Sequence, residues 1–447
     1  MNIKLENKTL KGGTYLGSGA YGCVVSPPLP CKSYDKKTKK QSNIKLNKNK
    51  KYVSKILKSE DEDSRHELKI SDKIKKIDPS KKYFITYESA CKIKTVPKNR
   101  NNTVKVEFRN NDLSYYNEIN NNGKIKYSGY TNDHNNNSNN KKKRCLIDTS
   151  IDPINIIMPY GGYDLIDLKY NIYEYYYYLK KYKNTKDKKY YTILKNHKYI
   201  NSIQIYDLLN NNFKYYFKNL VIGLYKLHKN RIVNLDIKKE NIMVNYDSNT
   251  KKLQLRYIDF GMSQHLTDYY CKNYDNIDLF GTYELIPPEI FICYIINKYN
   301  KIKSESYIVN KIYDYIDKNV YSLYKEIKEY NNINILYNEH INKTTKKKEN
   351  PLILKLYVEI NKYFQNKTIL NHYFGLKNVK SNDGFLQKRD VYSLGIAMYN
   401  YLIDDFIVID IKKPENIKLY TLLKKMIDPD PNQRYNIDDC LKDPYFN

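Results

Sequence analysis

The spacing of apolar positions changes along the chain, from short extended stretches near the amino terminus to helical periods further on. Residues 12 to 25 place Tyr15, Leu16, Tyr21, Val24 and Val25, which favour extended backbone, around Gly17, Gly19 and Gly22. This predicts a strand, a glycine turn and a second strand. Tyr52 to Leu57 reads as a short strand carrying Lys55. A helix is expected next, because Glu60, Asp61, Glu62 and Asp63 complement the positive end of a helix and Glu67, Ile70 and Ile74 recur at helical spacing. Ile151 to Met158 predicts another strand, closed by the turn-forming run Pro159-Tyr160-Gly161-Gly162. Tyr206 to His228 predicts one long helix, with Leu208, Leu209, Phe213, Phe217, Leu220, Val221, Leu224 and Leu227 near one face. Arg389 to Tyr401 and Leu419 to Ile427 read as closing helices, stopped by Asp428-Pro429-Asp430-Pro431.

Three segments break this pattern. Residues 26–50 are rich in Pro, Lys and Asn and read as an exposed insertion. Residues 98–144, including Asn135 to Lys143, lack the apolar surface to offset their ordering entropy, so most of the segment is expected to be disordered. Residues 292–385 read as an insertion with patches of helix. The tyrosines of Tyr173 to Tyr178 are taken as local packing and not as a binding platform.

With 447 residues the chain exceeds the usual single-domain size, and a net charge of +29 favours polyanionic partners in principle. Only eight of the 78 basic residues are Arg, the side chain suited to bidentate phosphate and base contacts, so solvated lysine surfaces are preferred to a nucleic-acid role. The seven cysteines are widely spaced, with no metal-ligand pattern, which fits a reducing, cytoplasmic setting. No run of about 18 apolar residues is present, so no membrane association is expected.

Candidate chemistry sharpens the reading. The run Gly17-Ser18-Gly19-Ala20-Tyr21-Gly22 is continued by strand formers Cys23, Val24 and Val25, where a dinucleotide fingerprint would lead into a helix. Its bare backbone suits phosphate oxygens. Asp236-Ile237-Lys238-Lys239-Glu240-Asn241 follows, and then Ile258-Asp259-Phe260-Gly261. Taken singly, Asp259 reads equally as a turn acid, Asn241 as a cap and Lys55 as a solvated strand lysine. In this order the set resembles the eukaryotic-type protein kinase family.

That resemblance implies an α+β, bilobal fold. Residues 1–158 would form a small, mainly antiparallel ATP-binding lobe with one key helix, and residues 159–447 a larger, mainly helical catalytic lobe. It further implies ATP and Mg2+ as cofactors and protein hydroxyls as substrate. By position, Asp236 resembles the catalytic base and Lys238 the cation near the transferred phosphate. Asn241 and Asp259 resemble the magnesium ligands, Lys55 the phosphate-binding lysine and Glu67 its partner, with Glu62 as the alternative. Leu16 through Val24 would cover the nucleotide, Met158 would be the gatekeeper, and the backbone of Pro159 and Gly161 would meet adenine. The segment Gly281-Thr282-Tyr283-Glu284-Leu285-Ile286-Pro287-Pro288-Glu289 resembles the end of an activation segment, with Asp390 as the acid of a central helix and Arg434 as the buried partner of Glu289. Lys238 and Thr282 resemble Ser/Thr kinases, and the hinge with Asp164-Leu165 resembles kinases of large DNA viruses, which would place the protein in a host cytoplasm or a virion.

The chain departs from the family pattern at Asn234-Leu235-Asp236, where H-R-D is usual. Leu235 removes the arginine that gathers a phosphorylated activation segment, implying activity independent of that phosphate, although Thr267 and Tyr270 remain candidates for modification. Two rival readings stay open: a catalytically silent scaffold, and a kinase tethered to nucleic acid by its lysine-rich insertions.

Overall fold

The computed structural model describes residues 14–19, 22–28, 32–34, 41–43, 46–47, 51–57, 62–92, 103–107, 144–148, 154–247, 252–266, 285–287, 289–290, 307, 310, 384–404 and 414–447. Ala20, Tyr21, Thr267, Tyr270, Gly281 to Glu284, Pro288, residues 98–102 and 108–143, and nearly all of 292–383 lie outside them. The chain divides into two compact units, one comprising 1–69 with 86–160 and the other 70–85 with 161–447.

In the first unit β1 (Thr14–Gly19) and β2 (Gly22–Ser26) form the glycine hairpin. A small hairpin, β3 (Lys32–Tyr34) with β4 (Gln41–Asn43), follows within the segment expected to be an exposed insertion. β5 (Tyr52–Leu57) carries Lys55, and α1 (Glu62–Ile77) opens with Glu62 and Asp63 at its positive end. β6 (Ser89–Lys92), β7 (Thr103–Glu107), β8 (Arg144–Asp148) and β9 (Ile154–Pro159) complete this unit. Its five-stranded sheet runs β1-β2-β5-β9-β6, antiparallel throughout. β5 is bonded along both edges, and five of its six residues are buried, with the apolar Tyr52, Val53, Ile56 and Leu57 that predicted it all in the core.

β7 and β8 pair with each other, so the described parts of the 98–144 segment are strands, while the remainder, on which the expectation of disorder chiefly falls, lies outside the described residues. The Thr-Val-Lys-Val-Glu alternation carried the strand signal, but the Asn and Lys content around it outweighed it.

The second unit holds β10 (Tyr163–Asp164), α2 (Leu165–Thr185), α3 (Lys188–Leu194), α4 (His197–Asn211) and α5 (Phe213–Lys229). β11 (Ile232–Val233), β12 (Ile242–Asp247), β13 (Lys252–Tyr257) and β14 (Gln264–His265) carry the next stretch, and α6 (Gly384–Asp404), α7 (Pro414–Met426) and α8 (Ile437–Lys442) close the chain. β10, β12 and β13 form one sheet, and β11 pairs with β14. One core gathers Phe217, Leu220, Val221 and Leu224 of α5, Ile242 and Val244 of β12, and Val391, Leu394 and Met398 of α6.

The helix expected over Tyr206 to His228 is two helices. Asn212 stands at φ −126° and ψ 28°, and its Nδ2 donates to the Leu208 carbonyl at 3.1 Å. Three consecutive asparagines, Asn210 to Asn212, compete with the helical backbone, while the apolar period runs on across the break.

The division between units falls inside α1. Ile70 and Ile74 are 2% and 0% exposed in the core of the second unit. Beyond the helix, the Asp78 carboxylate accepts from the Tyr83 and Phe84 amides at 2.7 and 3.2 Å. The Ile85 amide donates to the Tyr257 carbonyl and the Tyr257 amide to Tyr83, both at 2.9 Å, which fastens this loop to β13.

Candidate active site

Strand register decides which predicted residues of the first unit share a face. Val24 pairs with Lys55, Lys55 with Ile156 and Val53 with Met158. Val24, Lys55 and Met158 therefore lie on one side of the sheet. Cys23, expected in the same set, pairs with Ile56 and is buried on the opposite side, because strand side chains alternate.

Cys23 and Cys91 are each disulfide-bonded, where the wide spacing of the cysteines was taken to fit a reducing setting, while Cys440 is free. The register Cys23, Ile56, Asn155, Cys91 puts two strands between them, too far for a bond to each other. Spacing in the sequence does not report such proximity.

Lys55 Nζ meets Glu67 Oε1 at 2.8 Å, and both side chains are 11% exposed. Glu62, the alternative partner, is exposed in the first turn of α1. Gly17, Gly19 and Gly22 belong to the hairpin backbone, Leu16 is exposed, and Pro159 ends β9. Gly161 begins the second unit, and a Cβ there would lie 2.9 Å from Met243 Cγ and 3.0 Å from Ile85 Cδ1. At Gly162, φ is +91° and a Cβ would come within 2.0 Å of the Val244 carbonyl, so only glycine fits.

In the second unit, pairing of Ile242 with Tyr257 brings the two candidate metal ligands to the same end of the β12–β13 hairpin. The Ile258 amide donates to the Asn241 carbonyl at 3.0 Å, and Asp259 is the next residue. Asn241, at the end of the 3-10 turn Lys239–Asn241, directs Nδ2 to the Asp236 carbonyl at 2.9 Å and to Asp236 Oδ2 at 2.8 Å. Lys238 Nζ meets the same Oδ2 at 2.9 Å. Asp236 is thus fixed by a cation and an amide while its side chain keeps 11% exposure.

Asp259 adopts φ +58°, a left-handed conformation that Asp tolerates better than most side chains. Phe260 is buried, edge-on to Phe84 at 5.8 Å. The donor chemistry suits a hard cation. Asn241 commits its nitrogen to Asp236, which leaves Oδ1 as the oxygen able to join the Asp259 carboxylate, and magnesium is commonly held by one or two protein oxygens together with substrate phosphates. Among the described residues, no cluster of three or more His, Cys, Asp or Glu forms a self-sufficient metal cage.

The loop bearing Asp236 hangs from Asp390 on α6, which is 0% exposed. The Asn234 and Leu235 amides donate to its two oxygens at 2.7 and 2.9 Å, and His228 Nε2 lies 3.1 Å from Oδ2. Leu235 takes φ +66° to present its amide, and its side chain is buried with Val233 and Leu266, with Met262 and Leu386 packed alongside. Glu289 and Arg434 form a two-pronged, fully buried pair at 2.5 and 2.9 Å. Sequence reasoning singled out Asn234 only as a replacement for the family's usual imidazole, without its bond to Asp236, and passed over His228 and Ser263, because their partners lie far off in the chain or depend on loop geometry.

Comparison with known proteins follows the same residues. The family model described as "Protein kinase domain" matches residues 169–446, a span containing Asp236, Lys238, Asn241, Asp259, Glu289, Asp390 and Arg434. Lys55, Glu67 and the glycine hairpin precede it. The protein "Serine/threonine-protein kinase WNG2" of Toxoplasma gondii is 38% identical over 60 residues, which cover 13% of this chain and 11% of that protein. Among the described residues no helix is long and apolar enough to cross a membrane. With the family match extending over more than half of its length, the chain belongs to the protein kinase family.

Proposed function

We propose that the protein is an ATP-dependent protein serine/threonine kinase acting on polypeptide hydroxyls. The observation that carries this reading is the Asp236 carboxylate, held by Lys238 and Asn241 in a loop suspended from a buried aspartate. Such a carboxylate can orient a substrate hydroxyl and accept its proton as the oxygen attacks the γ-phosphorus and the bond to the ADP oxygen breaks. Lys238, beside the base, counters charge spreading onto the transferred group. Lys55, steadied by Glu67, would bind the α and β phosphates, with the backbone of Gly17 to Gly22 against the phosphate oxygens. Asn241 and Asp259 would hold magnesium, which when bound neutralises phosphate charge.

Activity is proposed to be independent of activation-segment phosphorylation. In place of an arginine waiting for a phosphate, Leu235 contributes to an apolar cluster with Val233 and Leu266. The WNG2 likeness and Lys238 within D-x-K-x-x-N support Ser/Thr specificity. Purified full-length protein incubated with labelled ATP, magnesium and generic protein substrates tests the proposal. Phosphoserine or phosphothreonine is expected, and Asp236→Asn should lower kcat about a hundredfold or more. Product confined to phosphotyrosine, or full transfer by Asp236→Asn, would overturn it; persistent silence would favour a scaffold.

A further inference from the structure

The structure assigns to Asn234 a positioning role for Asp236 and for the segment that follows Asp259. This rests on the kinase reading above and concerns one of the two residues, with Leu235, at which this loop departs from its family's pattern. Asn234 is 2% exposed, and its main-chain amide, main-chain carbonyl and side-chain oxygen are each engaged. Its side-chain oxygen Oδ1 accepts the Asp236 amide at 3.1 Å, a bond two residues forward that closes an Asx turn. Its own amide donates to Asp390 Oδ2 at 2.7 Å, and its carbonyl accepts the Ser263 hydroxyl at 3.2 Å.

These bonds have distinct consequences. The bond to Asp390 anchors the loop to α6, and the neighbouring Leu235 amide shares that anchor. The Asx bond instead sets where the backbone of the base begins, and hence where its carboxylate can reach. The Ser263 bond ties the same residue to the chain four positions after Asp259. One buried residue thereby holds both in one frame without a phosphate, its side-chain oxygen fixing the base and its main-chain carbonyl the start of the segment beyond D-F-G. Leu235 at φ +66° is the bridging residue, and the Asx turn offers the local bond that offsets this strained backbone. Asn234 touches neither substrate nor ATP in this account; it acts through Asp236.

The test compares Asn234→Ala with Asn234→Ser. Both remove most of the amide and leave similar space, but serine keeps an oxygen that can accept the same amide in an ST turn. Kinetics on the full chain should show kcat falling about 10- to 100-fold in Asn234→Ala, since small misplacements of a catalytic group cost that much, with the KM for ATP within about twofold. Asn234→Ser should recover at least half of the loss on a logarithmic scale. Equal losses in both variants would mark a packing role alone, and unchanged kcat in Asn234→Ala would remove the role altogether. Site-resolved hydrogen exchange at the Asp236 amide decides the point without catalysis. Protection should persist in wild type and Asn234→Ser and fall about tenfold or more in Asn234→Ala; equal rates in all three would sink the inference. A silent wild type with that exchange pattern would remove the kinase reading while leaving the Asn234 contact standing.

Discussion

Two ion pairs, one in each unit, use the same chemistry to different ends. Glu289 and Arg434 are completely buried, joined by two bonds at 2.5 and 2.9 Å, and the guanidinium gives a further bond from Nε to the Asp428 carbonyl at 2.8 Å. Its plane also lies over the Tyr392 ring, 4.8 Å from the centroid. Lys55 and Glu67 share one bond at 2.8 Å, and each side chain keeps 11% of its surface open. A planar fork enclosed on all sides has one arrangement available, whereas an ammonium on a flexible stem can hold its partner and still take on an anion. The first pair is built as a structural rivet, and on the proposed function the second is a reagent held ready.

Replacing one member of each pair breaks the comparison open. Arg434→Met leaves Glu289 buried without its cation and should cost about 3–5 kcal/mol of stability, read from urea unfolding. Adding Glu289→Leu should return much of that loss, because an apolar pair in the same volume carries no desolvation penalty. A loss below about 1 kcal/mol would show that water or another cation replaces the arginine and that the rivet reading is wrong.

Lys55→Met should separate in the opposite sense. Phosphate transfer is expected to fall about a hundredfold, from the loss of one charge-assisted contact to the phosphates, while stability changes by no more than about 2 kcal/mol. If this variant unfolded as readily as Arg434→Met, the two pairs would be equivalent and the contrast would fail.

The parts legible in the sequence are those whose partners are fixed by short motifs. Asp236, Lys238 and Asn241 stand within one turn and a 3-10 segment, and the resemblance carried by D-x-K-x-x-N named them together before the geometry did. β5 was equally legible, as a strand of six residues in which apolar pairs flank Ser54 and Lys55. Resemblance supplied Arg434 with Glu289, 145 residues apart, which no local pattern could have joined.

What escaped depended on geometry that composition does not encode. The side of the sheet that Cys23 faces follows from a pairing register and not from its nearness to Gly22. The attachment of residues 70–85 to the rest of the second unit rests on the burial of Ile70 and Ile74 in its core and on bonds to Tyr257, which lies far along the chain. The 21-residue helix α2 was hidden because Tyr173 to Tyr178 blur the helical period, although Leu165, Leu168, Ile172 and Tyr178 do fall on its buried side. Tyr178 proved to be packing, 6.1 Å from the ring of Tyr190 and 6.3 Å from that of Tyr199.

Asp164 supplies the third term of the comparison, an acid held without a cation. It caps α2 by accepting the Asp167 amide at 2.7 Å. Burial first, and then the neighbouring Asp167 and the more distant Glu240, push its carboxyl up to about 8, against the backbone donors that favour the charged form. The native state therefore keeps a proton that the unfolded chain releases above about pH 4. This contribution to stability is fully present below that pH and is lost as pH rises toward 8. Asp164→Asn keeps an oxygen for the cap and removes the titration. Its melting temperature should gain on wild type by about 2–4 °C between pH 5.5 and pH 8, with thermal unfolding followed at both values. A gain independent of pH would mean that the carboxyl is ionised throughout, and Asp164 would then join Lys55 and Arg434 as a charge with its compensation already in place.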